Sequence, residues 1–458
     1  MSHDQELPTS DTPSRQPMSK RLSRRRFVQA AAATPAALSA GAALATRVLT
    51  PAASLAAQDK TKVSFWSHTH PPMVDENKKL VAEFMKANPD IEVGYEIIPN
   101  MNFAEKMLSS MGTGTGPDLI NMDDNQMRSI YIPKKLVSEV DPVALGYGTV
   151  EKLQAAYIPG ALEGSTVDGK IYGLPSEFNV TAFAINTDAF KEAGLDPNTP
   201  PKTWDEVGTM GQKLVKKNGD TVSRLGFDFL YLHAGWYHNQ FGTLLLQTGG
   251  RLVSEDGTKA VVNEPAGVQA LQIWYDMVYK YKVADPNFSS REATNPYQDF
   301  VDGKVAMTLM NPWGMGLVTK ESPVFGKYQI VPLPQADVEK PAAPLYAYYW
   351  SVNQQSKNKE AAFKLASFLA SKPGDWLANV DFIQPKVGWE NAPETKNFAF
   401  YNVWAEQMKA GKFLPVVPNS EEVDNIIKSA IESSILNGVA PKEALDEAAQ
   451  KIDQVLKG

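Results

Sequence analysis

Residues 62–98 read KVSFWSHTHPPMVDENKKLVAEFMKANPDIEVGYEII, and the spacing of apolar residues changes twice within this stretch. Residues 62–67 follow a short strand pattern, and residues 73–88 carry apolar side chains at helical spacing until Pro89 ends the helix. Residues 91–98 alternate with a period of two, which is typical of a strand. A strand, a helix and a second strand in this order predict a mainly parallel α/β sheet.

The same alternation recurs along the rest of the chain. About 400 residues follow position 57, which exceeds the size at which a single hydrophobic core usually splits. We therefore predict two lobes, each a mainly parallel sheet flanked by helices. The further strands are predicted at 117–121, 181–186, 225–229, 305–310 and 350–353, and the further helices at 103–111, 187–193, 203–217, from 265 onward and at 359–370.

The first 57 residues have the organisation of an export signal. The segment 23–44 reads SRRRFVQAAAATPAALSAGAAL, a basic region followed by a weakly apolar stretch that Pro35 interrupts, so a membrane-spanning helix is the weaker alternative. Its Arg-Arg-Arg-Phe-Val core resembles the twin-arginine export signal. We expect cleavage near residue 57 and a periplasmic mature protein.

Composition excludes several classes of protein. The chain has no cysteine, which excludes disulfides, thiolate metal sites, a cysteine nucleophile and a lipid-modified cysteine anchor. The first 57 residues hold seven Lys and Arg but three Asp and Glu, so the remainder has a net charge of −11. That charge disfavours nucleic acid and anionic membranes as partners.

Five segments, in their order along the chain, resemble a known family. They are the opening stretch at 62–99, GTGTGPDLINMDD at 112–124, DGKIYGLPSEFNVTAFAINTDAFKEAGLDPNTPPKTWDEV at 168–207, FVDGKVAMTLMNPWGMG with YQIVPLP at 300–334, and SVNQQSKNKEAAFKLASFLA at 351–370. Together they are similar to the extracellular solute-binding proteins of ABC importers, family 1, which contains the maltodextrin-binding protein. The resemblance rests on the occurrence of all five segments in this order more than on any one motif.

The resemblance implies a fold, a mode of action and partners. The fold would be the two-lobed periplasmic-binding-protein fold, with one lobe at 58–172 plus 349–384 and the other at 173–348 plus 385–458. The crossing segments would form a hinge that closes the lobes over a carbohydrate ligand. A monomeric receptor without enzymatic activity would then deliver the ligand to an ABC permease in the inner membrane.

Candidate ligand-binding residues fall into a polar and an aromatic group. In open α/β sheets, ligands bind beyond the carboxyl ends of strands. Sugar rings offer an apolar face to aromatic side chains and hydroxyls to polar ones. The polar candidates are His68, Asp123, Asp124, Glu177 and Asn179, and the aromatic candidates are Trp66, Trp236, Trp313 and Tyr348, with Trp236 and Trp313 expected in loops.

Alternative interpretations exist for most of these positions. Asp123 and Asp124 also fit a solvated loop, Tyr349 fits a packing residue, and Trp274 and Trp404 lie on helical patterns that predict core positions. An exported carbohydrate-active enzyme using Asp124 and Glu177, or a receptor for a polyol phosphate, is an alternative function.

Two further motifs predict no cofactor. The glycine-rich stretch at 112–116 follows a helical pattern and precedes a strand, which is the reverse of a dinucleotide-binding loop. His68 and His70 lack the further ligands that a metal site requires, so neither a metal nor another cofactor is predicted.

Overall fold

The computed structural model describes residues 60–231, 234–285, 287, 297–415, 417 and 419–457, without the side chains of 100–102 and 104. The predicted export signal at 1–57 lies outside the described residues. Among the helices of the described part, none has the length and apolar character required to cross a bilayer.

Strands and helices alternate through the described part of the chain. The strands are β1 Thr61–His68, β2 Ile91–Ile98, β3 Leu119–Asp123, β4 Thr166–Val167, β5 Lys170–Ile171, β6 Leu174–Val180, β7 Ala182–Asn186, β8 Lys216–Asn218, β9 Thr221–Arg224, β10 Met307–Met310, β11 Tyr328–Val331, β12 Ala343–Val352 and β13 Gly411–Phe413. The helices are α1 Pro71–Ala87, α2 Asn100–Gly112, α3 Asp124–Gln126, α4 Val150–Ala155, α5 Thr187–Glu192, α6 Trp204–Leu214, α7 Ala234–Thr248, α8 Pro265–Tyr279, α9 Gln298–Val301, α10 Lys359–Ala370, α11 Pro373–Val380, α12 Tyr401–Lys409, α13 Ser420–Asn437 and α14 Pro441–Val455.

The larger sheet has six strands. Five follow the order β13-β12-β3-β1-β2, and β6 also pairs with β12, on the side opposite β3. Strand β1 runs parallel to both β2 and β3, as the opening stretch of sequence predicts. Strand β12 runs antiparallel to both β3 and β6. It therefore joins the parallel strands of the first part of the chain to the segment that begins at β6.

The smaller sheet departs from the expected parallel arrangement. Its central strand β7 runs antiparallel to both β10 and β11. Only Thr181 separates β6 from β7, so the chain passes from one sheet to the other almost without turning. The prediction of a mainly parallel sheet in the second lobe is therefore wrong for β7, β10 and β11, while the α/β class is confirmed.

Local patterns predicted most elements but not their full lengths. The predicted strand at 350–353 is the end of the ten-residue β12, and the predicted strand at 225–229 is a single parallel bridge between Leu225 and Val305. The glycine-rich stretch at 112–116 does connect the end of α2 to β3. Trp274 and Trp404 are fully buried, which confirms their prediction as core residues.

Candidate ligand cleft

Strand β12 brings three of the predicted site residues side by side. Tyr348 lies opposite Asp123 of β3 on one side and opposite Glu177 of β6 on the other. Directly opposed residues of antiparallel strands point to the same face of a sheet. The pairing of β12 with β6 shifts register after Tyr348, and such an irregularity changes the direction in which the following side chain points. Tyr349 is buried and donates its hydroxyl to the Ala161 carbonyl oxygen at 2.9 Å, so it packs.

Glu177 is a buried carboxyl group. Its side chain is 4% exposed, and the Asn179 amide donates a hydrogen bond to Oε1 at 2.9 Å. Burial raises the pKa of Glu177 to about 8, and the hydrogen bond from Asn179 offsets this only in part. Glu177 is therefore mainly protonated at neutral pH, when its hydroxyl can donate and its carbonyl oxygen can accept hydrogen bonds.

The adjacent Asp123 and Asp124 differ in their surroundings. Asp123 caps α3 by accepting a hydrogen bond from the Gln126 backbone N–H at 3.0 Å, and burial raises its pKa to about 7. Asp124 instead pairs with Arg128 at 2.7 Å and accepts a hydrogen bond from the Ala347 backbone N–H at 3.1 Å. Asp124 thus fixes β12 in place, while Asp123 caps the helix that begins at Asp124.

Two histidines lie where β1 ends. The ring of His68 lies 4.6 Å from that of Tyr348, and burial, followed by the charge of His70, lowers its pKa to about 3. His70 stacks on Phe382 at 5.3 Å and meets Trp313 edge to face at 5.6 Å, and burial lowers its pKa to about 4. Both rings are neutral at physiological pH, which suits hydrogen bonding to a ligand better than holding a charge. Within the described residues, no group of three or more metal-binding side chains is arranged around an ion.

An aromatic wall forms around Trp313, which lies in a 3₁₀ turn at Pro312–Leu317 directly after β10. Its ring centroid lies 5.2 Å from that of Tyr297 and 6.2 Å from that of Trp236, and its indole N–H donates to the Tyr346 hydroxyl. Gly314 allows the close approach, because a Cβ there would lie 2.5 Å from the Tyr297 ring. Trp236 occupies the first turn of α7, so its predicted loop position is wrong, although its ring does join Trp313.

Trp66 is the candidate that lies apart from this group. It is half-buried and packs against a hydrophobic cluster that includes Phe103 and Ile120. The ammonium group of Lys106 lies 4.5 Å from the centroid of its ring. The structure therefore gives Trp66 packing partners away from Trp313, and its role in ligand binding stays a prediction.

A further polar pair, His238 and Asp424, lies near Asp123. His238 Nδ1 of α7 lies 2.6 Å from Asp424 Oδ1 of α13. Burial alone would lower the pKa of His238, but the charge of Asp424 and their hydrogen bond outweigh it and raise the pKa. Asp424 also contributes to the raised pKa of Asp123. Sequence reasoning did not find Asp424, since nothing in its helical surroundings signals a site.

A separate cavity of about 540 Å³ lies between α6, α8 and α14. Its lining includes Trp204, Ile273, Tyr281 and Lys442, and none of the candidate residues contributes to it. This cavity therefore does not coincide with the place where the candidate residues converge. We take the group around β12 as the site, because buried carboxyl groups and aromatic rings meet there from separate elements.

Comparisons with known proteins agree with this fold. A putative binding protein of Brucella abortus is 26% identical over 414 residues, covering 88% of this chain and 94% of that protein. The maltotriose-binding protein of Pyrococcus abyssi is 22% identical over 398 residues, covering 85% of this chain and 80% of that protein. An ABC transporter solute-binding protein of Thermotoga lettingae, solved with bound α-D-tagatose, has a TM-score of 0.76 at 22% identity and covers 87% of this chain and 100% of that one.

These matches confirm the two-lobed α/β fold class. The family model of the bacterial extracellular solute-binding proteins matches residues 36–376, which is about three quarters of the sequence. The chain therefore belongs to the bacterial extracellular solute-binding protein family.

Proposed function

We propose that this protein is the periplasmic receptor of an ABC importer and binds a sugar or oligosaccharide between its two lobes. The observation that carries the proposal is the convergence of Tyr348, Glu177 and Asp123 on one face beside the aromatic wall of Trp313. Aromatic faces suit the C–H face of a sugar ring, and carboxyl and imidazole groups suit its hydroxyls. The named ligands of the relatives, maltotriose and α-D-tagatose, are of the same class.

The proposed action uses binding energy to shift a conformational population. One lobe would consist of 58–172 plus 349–384 and the other of 173–348 plus 385–458. The crossing segments would act as the hinge, and they would include β6, which pairs within the larger sheet, and Thr181 after it. A ligand that contacts both lobes favours the closed form by its difference in affinity for the two states. The closed monomer then docks on a membrane permease, whose ATPase drives import.

A hydrolytic function has less support from the site. Burial raises the pKa of Asp123 to about 7 and that of Glu177 to about 8, so neither carboxyl group is fully ionised at neutral pH. Glycoside hydrolysis needs one carboxyl group of the pair protonated and the other ionised. The other pairing, Asp124 with Glu177, uses a carboxylate that Arg128 already neutralises.

A polyol phosphate fits this site poorly. An anionic phosphate needs a free cation as its partner. The guanidinium of Arg128 lies beside the site but is already paired with Asp124. The neighbouring Asp123 and Glu177 would repel the phosphate whenever they are ionised.

The export route is part of the same proposal. The twin-arginine-like segment at 23–28 would direct the folded chain to the periplasm, and cleavage would occur near residue 57. Without a cysteine for lipid attachment, the mature receptor would diffuse freely. Mass spectrometry of the protein isolated from periplasm tests the cleavage site and the absence of a lipid.

Thermal unfolding with a ligand panel tests the proposed function. A sugar present at 100 times its dissociation constant should add about 2.7 kcal/mol to the free energy of unfolding. Trp313→Ala should remove that stabilisation, whereas Phe325→Ala, at a side chain that is 47% exposed, should retain it. Stabilisation by glycerol phosphate and by none of the sugars would contradict the assignment, as would shortened oligosaccharide products after incubation.

A further inference from the structure

Two carboxyl groups beside the cleft have no basic partner. Arg128 pairs with Asp124 at 2.7 Å, and His238 pairs with Asp424 at 2.6 Å. These pairs leave Asp123 and Glu177, and within the described residues neither has a Lys, Arg or His ion-pair partner. These two carboxyl groups flank Tyr348 on both sides.

A second feature beside this pair points to a ligand. His70 is 8% exposed, and neither of its ring nitrogens has a hydrogen-bond partner within the described part of the chain. Its ring packs edge to face with that of Trp313. The indole N–H of Trp313 in turn donates a hydrogen bond to the hydroxyl of Tyr346, two residues before Tyr348. Leaving such buried polar atoms unpaired costs free energy, which a bound group that supplies hydroxyls would recover.

We propose that the ligand is an amino sugar whose protonated amine lies over Tyr348, between Asp123 and Glu177, while its hydroxyls meet His70. This inference rests on the proposed function and narrows its ligand class. An ammonium group can donate three hydrogen bonds, and an aromatic face below it adds a cation–π attraction. A neutral sugar would meet the same carboxyl groups in their protonated form and would release no proton, whereas an ammonium group would favour their ionised form.

The proposal makes binding of the amine depend on proton release. Burial raises the pKa of Glu177 to about 8 and that of Asp123 to about 7, so both are mainly protonated at pH 6.5. An ammonium ion favours the ionised form of a carboxyl group, and ionisation of one of the two, which matches its single charge, should release about one proton. The other titratable or charged groups around this position are His68 at the end of β1, His70, Asp124, Arg128 and Tyr131 after β3, Tyr346 and Tyr348 of β12, His238 of α7 and Asp424 of α13.

Isothermal titration calorimetry with matched sugars tests the inference. The probes are glucosamine, galactosamine and mannosamine with their β-1,4-linked disaccharides, each compared with the parent sugar that carries a hydroxyl instead of the amine. At pH 6.5 the tightest amino sugar should bind at least about 30-fold more strongly than its parent, and buffers of different ionisation enthalpy should reveal the released proton. A parent that binds as tightly as its amino counterpart overturns this inference and leaves the sugar receptor intact. If no sugar of either series binds, both proposals fail.

Two variants separate a role in charge recognition from a structural role. Glu177→Gln keeps the acceptor for Asn179, should reduce proton release, and should weaken amino-sugar binding by at least about tenfold more than it weakens parent-sugar binding. Glu255→Gln, at an exposed carboxylate on the surface, serves as the control and should change neither. An equal loss for both sugar series in Glu177→Gln would indicate a structural role and would overturn the inference.

Discussion

Arg128→Met should destabilise the protein far more than the loss of an ordinary ion pair. The side chains of Arg128 and Asp124 are 13% and 7% exposed, and their nitrogen and oxygen atoms lie 2.7 Å apart. Removing one partner of a buried pair leaves the other charge uncompensated, which costs about 3 to 5 kcal/mol. Arg128 also donates to the Leu414 carbonyl oxygen at 3.3 Å, so its loss frees the segment that follows β13 as well.

The design includes a compensating variant and a surface control. Asp124→Asn in the same chain removes the unpaired charge but keeps an oxygen for the Ala347 backbone N–H, so the double variant should regain at least about 1.5 kcal/mol. Lys451→Met breaks a pair of the same helical spacing at 2.6 Å, but its side chains are 51% and 66% exposed. That control should cost at most about 1 kcal/mol.

Guanidinium unfolding, followed by tryptophan fluorescence and far-ultraviolet circular dichroism, measures these free energies. The reasoning fails if Arg128→Met costs less than about 1 kcal/mol, because the pair would then behave like one on the surface. It also fails if the double variant is no more stable than Arg128→Met alone, since relief of the buried charge is the cause invoked here.

Three further predictions concern the site and its supports. The folded-state pKa of Glu177, about 8, lies above its unfolded value, so its contribution to stability is full below pH 4.5 and is lost up to pH 8. The stability of Glu177→Gln relative to the parent protein should therefore rise across that interval, and a constant difference in unfolding midpoints would contradict it. Gly314→Ala should cost about 1 to 3 kcal/mol by pushing the added carbon into Tyr297, and near-normal stability would show that the 3₁₀ turn yields easily. Thr203→Ala should cost about 1 kcal/mol by removing the capping box of α6, while Thr203→Ser should keep it; equal unfolding midpoints for the two would refute the capping role.

The fold was largely predictable because its first sheet is encoded in local periodicity. Strands β1 and β2 and helix α1 follow the spacing of residues 62–98 closely. Strand β12 was predicted only at its end, since its pairing with β3 and β6 joins segments more than 160 residues apart in sequence. The direction of β7 likewise depends on its two partners, which a local pattern does not contain.

The site was predictable in part from strand ends and in part from side-chain chemistry. Asp123 ends β3, whereas Glu177 and Tyr348 lie within strands and were predicted because a carboxyl group and an aromatic ring suit a sugar. The structure brings the three together. Asp424 was missed because nothing in the sequence of α13 marks it as buried beside a site, and only the folded chain brings it to His238. Trp66 was included for its position on β1, but it precedes the strand end by two residues and packs against α2 instead.

Strand β12 explains how these distant segments can hold one ligand with a fixed geometry. Its backbone is fixed by Asp124 at Ala347, and the hydroxyl of Tyr349 is fixed at Ala161. Tyr346 is held by Trp313. Because the strand cannot shift without breaking these bonds, the Tyr348 ring keeps its place between Asp123 and Glu177, which lie on the two strands of the larger sheet that flank β12. A ligand bound at Tyr348 therefore needs little further ordering of the protein, and less of its binding energy is spent on that ordering.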